Sequence, residues 1–414
     1  MIIIDGPAGI SGELSVQGAK NSALPLLSAA VLAKGQTVLE NCPDLSDVDT
    51  AVQILEHLGC RCTRSGSTLV IDSDLRRCDV PEELMRGMRS SIVFLGAVLA
   101  RTGEAALCFP GGCELGSRPI DLHLSALKKL GAQIKEEGGC LYAAAPGGLK
   151  GSYISLSFPS VGATENVMLA AVLAEGTTII GNAAREPEIV DLAAYLNRCG
   201  ARIYGAGESI IIIDGVKELH GARHRIMFDR IAAVTYMAAA AVTGGSITLK
   251  DVDNAHIMPM LPPFEEAGCT VRPLGTALNL MAPDRLQAVK HIRTMPYPGF
   301  PTDAQPMVMT MAAVGQGTSV FVENIFENRY KHAPELGRMG ADIRLEGKVA
   351  VVEGVEALHG AKVQGTDLRG GAALIVAGLA ARGRTEITGE HHIRRGYENI
   401  TGHLMDLGAR IKEV

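Results

Sequence analysis

The sequence predicts an α/β protein built from six internal repeats of about 70 residues. Three observations predict it. A short signature recurs along the chain: a small or apolar residue, Gly, Ala or Cys, any residue, then an apolar one. It stands at Leu58-Gly-Cys-Arg-Cys, Leu130-Gly-Ala-Gln-Ile, Cys199-Gly-Ala-Arg-Ile, Ala267-Gly-Cys-Thr-Val, Met339-Gly-Ala-Asp-Ile and Leu407-Gly-Ala-Arg-Ile. Its glycines, Gly59, Gly131, Gly200, Gly268, Gly340 and Gly408, are 72, 69, 68, 72 and 68 residues apart, a period too regular for chance. Between the signatures, segments of helical and of strand periodicity alternate. And the two ends of the chain complete one another.

Each unit reads in the same order. First comes an Ala/Leu/Met-rich segment, such as 166–174 or 372–381, apolar nearly all round and so a buried helix. A Gly stops it. A short β-branched run follows, Thr177-Thr-Ile-Ile or Ser319-Val-Phe-Val. After a polar loop comes an amphipathic helix, for example 121–130 or 188–199. The signature glycine closes that helix as a C-cap. Two alternating strands end the unit, as at 202–204 and 209–213 around Gly205 and Gly207.

The sixth copy stops at Val414, one strand short. The opening Ile2-Ile-Ile-Asp-Gly resembles Ile211-Ile-Ile-Asp-Gly-Val and Val351-Val-Glu-Gly-Val, which close the third and fifth copies. The first 19 residues are therefore expected to complete the sixth unit. Two domains follow: 20–227, and 1–19 plus 228–414. Two short connections between them would permit hinge closure over a ligand.

Composition narrows the function. With 47% apolar residues the chain can bury large cores, and with 4% aromatics and no Trp those cores must be aliphatic. A net charge of −6 without basic runs argues against nucleic acid. Nine scattered cysteines without a Cys-x-x-Cys pair predict a reducing compartment, no disulfide and no structural zinc. Of them, Cys60, Cys199 and Cys269 fall on signature positions and read as structural. The N-terminus lacks a signal peptide's basic start, and apolar stretches such as 231–243 are too short to cross a bilayer. A soluble cytoplasmic protein is expected. No Walker loop, dinucleotide fingerprint or Gly-x-Ser-x-Gly elbow occurs.

Polar residues collect before the first helix of each unit and in the loop before the second. Before the first helices stand Lys20-Asn21, Arg89, Ser160-Val-Gly-Ala, Asp229-Arg230, Asp303 and Asp367-Leu-Arg369. The second loops hold Cys113 with Arg118, Arg185-Glu-Pro-Glu188, Asn324 with Arg329, and His392 with Arg394-Arg395. Helix N-termini suit phosphate or carboxylate. With Lys20, Arg118, Arg329, Arg369 and Arg395 they point to a substrate with several anionic groups. Cys113 lies on a Gly/Pro-broken loop, with Arg118 nearby and a helix start ahead, a setting that lowers a thiol pKa. Simpler readings exist: a buried Cys113, solvated arginines, and Asp303 as a helix cap. His391-His392 lacks further ligands at metal spacing.

At these residues the chain resembles the enolpyruvyl transferase family over essentially its whole length. The most specific pieces are Gly18-Ala-Lys-Asn-Ser-Ala-Leu-Pro, Pro110-Gly-Gly-Cys-Glu-Leu-Gly-Ser-Arg-Pro-Ile-Asp-Leu-His, Ser160-Val-Gly-Ala-Thr-Glu-Asn, Ala183-Ala-Arg-Glu-Pro-Glu-Ile-Val-Asp, Phe300-Pro-Thr-Asp and Arg395-Gly-Tyr-Glu. The cysteine loop points to the branch that uses a UDP-sugar rather than to the shikimate-pathway branch. The resemblance implies an inside-out α/β barrel of two globular domains, each of three β-α-β-α-β-β units. It also implies the reaction: transfer of the enolpyruvyl group of phosphoenolpyruvate to the 3-hydroxyl of UDP-N-acetylglucosamine with release of phosphate. That is the first committed step of peptidoglycan precursor synthesis. No metal, cofactor, membrane or obligate protein partner is implied.

By resemblance, Cys113, Asp303, Lys20 and Arg395 are catalytic. Cys113 would protonate C3 of phosphoenolpyruvate and could also bond to it covalently. Asp303 would take the proton of the sugar hydroxyl. Lys20, Asn21, Arg118, Arg395 and Arg369 would hold phosphoenolpyruvate. Arg89, Arg118, Pro119, Ile120, Asp121, Leu122, Ser160, Val161, Gly162, Asp303 and Ile325 would line the UDP-sugar site. The 20–227 domain would carry the nucleotide-sugar and the Cys113 loop, the other domain the remaining catalytic groups. The usual Pro-Asp-Arg-Ile-Glu-x-Gly-Thr reads Phe228-Asp-Arg-Ile-Ala-Ala-Val-Thr here, so Phe228, Ala232 and Val234 depart from the pattern, and Arg394 replaces an acid. A shifted sugar acceptor and a non-catalytic UDP-sugar-binding paralogue stand as alternatives.

Overall fold

A computed structural model describes residues 1–109 and 120–414. The chain forms two compact units. One holds Met1–Gln17 and Phe228–Val414, the other the described residues between Gly18 and Met227.

In the 18–227 unit three helices are buried almost all round: Lys20–Ala30, Phe94–Thr102 and Val161–Ala171. Their Ala and Leu side chains leave no face that needs water, and Phe94–Thr102 packs against both others. Three amphipathic helices, Ser46–Leu58, Asp121–Lys129 and Pro187–Arg198, turn apolar faces to the same core. Sheets surround them. One runs Tyr153–Ser155, Thr177–Gly181, Ile210–Asp214, Arg202–Tyr204; its first pair is parallel and the rest antiparallel, with Ile180 opposite Ile211. The same order recurs in Asp79–Val80, Glu104–Cys108, Cys140–Ala144, Gln133–Glu137. In the third sheet, Leu219–His220 and Arg223–Arg225 from the end of the unit lie parallel to Ala33–Glu40 at its start.

The other unit repeats the plan. Arg230–Val242, Gln305–Val314 and Leu368–Ala380 pack on one another at its centre. The N-terminal residues serve two of its sheets. Ser11–Ser15 is the parallel edge strand beside Ser246–Lys250. Ile2–Gly6 is inserted between Gly383–Thr388 and Ile411–Glu413, with Ile2 opposite both Ile387 and Glu413.

The inside-out α/β arrangement of six repeated units is thus present, helices within and sheets without. All six signature glycines have φ between 91° and 109°, the left-handed turn that ends each second helix. The buried helices begin earlier than their apolar pattern. Val161–Ala171 starts where Ser160 accepts from the Ala163 N–H at 3.3 Å, and Leu368–Ala380 where Asp367 accepts from Arg369 and Gly370. Polar caps, not apolar residues, set those starts.

One expectation is overturned. Cys108 and Cys140 are joined by a disulfide with an S–S distance of 2.15 Å. They are 32 residues apart, so no local spacing marks them, but strand register places them directly opposite. Cys60, Cys199 and Cys269 are buried, and burial pushes the Cys199 thiol up to about 11 and that of Cys269 to about 12. Among the described residues no helix is long and apolar enough to cross a membrane, and no His/Cys/Asp/Glu group could hold a metal ion.

Candidate active site

Cys113, Arg118 and Pro119 lie outside the described residues. The other candidates can be followed within each unit.

In the 18–227 unit, Lys20 is the first residue of its helix, and its ammonium meets the buried Asp47 carboxylate at 2.7 Å. Asn21 follows it, partly exposed. The next residue, Ser22, donates to Asp191, which also accepts from the Met227 N–H and meets His224. The start of this helix is thereby fixed to the end of the unit, where Ala19 N–H also donates to Met227 O at 2.8 Å. Arg89 opens the short 3-10 helix Arg89–Val93.

Ile120, Asp121 and Leu122 form the start of the helix Asp121–Lys129, and Ser160, Val161 and Gly162 the start of Val161–Ala171. His123 brings the two together. Its ring lies against Gly162, where an added Cβ would stand 3.2 Å from His123 Cε1. The Asn166 amide donates to the Ile92 carbonyl, stands 3.0 Å from His123 Nδ1, and accepts from the Gly96 N–H. Burial lowers the His123 pKa to about 4, so the ring is neutral at pH 7. A neutral imidazole that accepts from Asn166 through Nδ1 carries its proton on Nε2.

In the other unit, Asp303 lies in the turn Thr302–Ala304 before the helix Gln305–Val314. The turn has no side-chain cap. The carboxylate goes instead to two buried guanidinium groups, Arg329 Nη2 at 2.8 Å and Arg369 Nε at 3.3 Å. Arg369 stands at the start of Leu368–Ala380. Burial opposes its charge, yet Tyr397, Asp303 and Asp229 hold its pKa above the ordinary guanidinium value. Arg369 Nη1 donates to Tyr397 Oη at 3.3 Å, and that hydroxyl is 2.7 Å from Thr235 Oγ1.

Arg395, two residues before Tyr397, sits in a turn tied by Gln17, whose amide donates to Gly396 O and accepts from the Glu398 N–H. Ile325 follows the strand Thr318–Val322, its N–H bound to Glu323 Oε1 at 2.7 Å. Of the departures from the family pattern, Ala232 and Val234 are fully buried on the helix Arg230–Val242, Phe228 stacks on His256, and Arg394 pairs with Glu413 at 2.5 Å. The geometry thus unites Asp303 with Arg369, and Asp121–Leu122 with Ser160–Gly162. Glu323, Tyr397 and His123 were missed. Each owes its place to a partner distant in sequence; Tyr397 and His123 lie in singled-out motifs and Glu323 does not.

A tight carboxylate–arginine cluster beside helix N-termini suits the handling of anionic substrates. The family model described as EPSP synthase (3-phosphoshikimate 1-carboxyvinyltransferase) matches residues 4–404. The chain belongs to this family. Among its relatives, UDP-N-acetylglucosamine 1-carboxyvinyltransferase 2 of Caldanaerobacter subterraneus subsp. tengcongensis is 49% identical over 99% of both chains. UDP-N-acetylglucosamine 1-carboxyvinyltransferase 1 of Symbiobacterium thermophilum is 50% identical over 100% of this chain and 95% of its own. Among solved structures, the enolpyruvyl transferase NikO from Streptomyces tendae matches with a TM-score of 0.90 and 25% identity, covering 99% of this chain and 98% of its own. An EPSP synthase from Acinetobacter baumannii matches at 0.77 and 19% identity over the same shares, a likeness of fold alone. The enolpyruvyl transferase expectation is borne out.

Proposed function

We propose that this enolpyruvyl transferase moves the enolpyruvyl group of phosphoenolpyruvate to the 3-hydroxyl of UDP-N-acetylglucosamine and releases phosphate, opening the synthesis of peptidoglycan precursors. The observation that carries the reading is the identity of about half, over the full length, to relatives that bear that activity's name. Among neighbours of the same fold, the UDP-sugar reading is favoured over the shikimate one by that identity.

The reaction sets four tasks. The sugar oxygen forms a bond to C2 while C3 takes a proton; C3 then gives the proton up as the C2–O bond to phosphate breaks. Cys113 delivers the proton to C3. Asp303 takes the proton of the sugar hydroxyl, and its two arginines fix where its oxygens point. Lys20, Asn21, Arg118, Arg369 and Arg395 hold the phosphate and carboxylate of phosphoenolpyruvate. Arg89, Arg118 to Leu122, Ser160 to Gly162, Asp303 and Ile325 hold the UDP-sugar. The 18–227 unit thus has the nucleotide-sugar role and the 228–414 unit the hydroxyl-activating one. We place the enzyme in the cytoplasm, since neither charged substrate crosses a bilayer unaided.

The test is phosphate release from phosphoenolpyruvate, with and without UDP-N-acetylglucosamine, for the wild type and Cys113→Ala. Release that depends on the sugar and falls at least about a hundredfold in the variant is expected for loss of a general acid. Folded wild type that releases phosphate only with another acceptor, or not at all, refutes the reading.

A further inference from the structure

Glu323 follows the strand Thr318–Val322 and is buried, 1% exposed. Its carboxylate accepts four hydrogen bonds among the described residues. Oε1 takes the Thr294 hydroxyl at 2.9 Å and the N–H groups of Ile325 and Phe326 at 2.7 and 3.0 Å. Oε2 takes the Thr302 hydroxyl at 3.0 Å. Where the strand ends, the backbone N–H groups need new acceptors, and this side chain supplies them.

The consequence is a junction. One oxygen fixes the backbone at Ile325. The other fixes Thr302, the residue before Asp303. Thr302 is held a second time, through its carbonyl, by Arg329 Nε at 3.0 Å and Nη2 at 2.9 Å. The same Nη2 donates to Asp303 Oδ1 at 2.8 Å. Thr294 completes the knot, because its Oγ1 also accepts from the Asn324 N–H.

We infer that Glu323 is a positioning residue for the UDP-sugar reaction: one arm sets the sugar-binding loop at Ile325, the other the aim of Asp303. The inference rests on the function proposed above. A carboxylate that only stabilised the fold would leave the kinetic constants of the folded protein unchanged. A positioning carboxylate splits them.

The experiment compares steady-state phosphate release by the full chain in wild type, Glu323→Ala, Glu323→Gln and Thr302→Val, each first shown folded by circular dichroism. In Glu323→Ala, KM for UDP-N-acetylglucosamine rises about tenfold and kcat falls about tenfold, while KM for phosphoenolpyruvate stays within about twofold. Glu323→Gln keeps one acceptor oxygen and restores the sugar KM to within about threefold of wild type. Thr302→Val cuts only the Asp303 arm, so kcat falls about tenfold with the sugar KM nearly unchanged. Wild-type constants in folded Glu323→Ala overturn the inference. Should that variant fail to fold, wild-type kcat in Thr302→Val overturns it equally. Loss of turnover in the wild type itself would refute the proposed function, and this inference with it.

Discussion

Asp303 shows what one side chain gains from its neighbours. Residue 303 alone reads equally well as a helix cap, yet its oxygens point to Arg329 and Arg369. His123 is the complementary case, a titratable ring held neutral by burial. Its folded pKa of about 4 lies below the 6.5 of an exposed ring, so the unfolded chain binds the extra proton first as pH falls. The stability this ring contributes is complete above pH 6.5 and is lost between there and about 4, on the order of 3 kcal/mol. Urea unfolding of His123→Gln across that range should show a shallower pH slope than wild type; parallel slopes would refute the assignment. Cys113, Lys20 and Arg395 could be singled out because motif and chemistry coincide there. His123 and Glu323 could not, because their meaning lies in Asn166, 43 positions on, and in Thr302, 21 positions back.

Among the elements, the strands Glu104–Cys108 and Cys140–Ala144 carry the clearest surprise. Spacing rules detect cysteines that are close in sequence, whereas a cross-strand bond depends on register, which is set by the turn and by which residues face the core. Cys108 and Cys140 should therefore resist a thiol reagent in denatured, unreduced protein and react after reduction. Labelling of both before reduction would contradict the bond. Helices and strands were legible wherever composition repeats: the segment 188–199 became Pro187–Arg198, and 202–204 became Arg202–Tyr204. Helix starts were not, because Ser160 and Asp367 act through single hydrogen bonds that leave no periodic trace.

For the whole molecule, the two units differ in how they are written in the chain. The strands that close the 18–227 unit, Leu219–His220 and Arg223–Arg225, return to its own Ala33–Glu40. The other unit borrows Ile2–Gly6 and Ser11–Ser15 from the far end of the sequence. Residues 18–227 expressed alone should melt cooperatively. Residues 228–414 should not, until 1–17 are joined to them by a short linker, because an interior strand is missing from one sheet. A cooperative melt of 228–414 alone would contradict this. The repeat made the architecture legible, since one unit read well predicts five more.

The inserted strand also has a history in time. A ribosome makes Ile2–Gly6 before the 18–227 unit, yet both its neighbours, Gly383–Thr388 and Ile411–Glu413, are made after it. During synthesis the 18–227 unit can finish while the opening segment still waits, an apolar Ile-Ile-Ile run with no sheet to enter. Its seat is completed only when Ile411–Glu413 emerges, so closing this sheet waits on a strand made long after the one it receives.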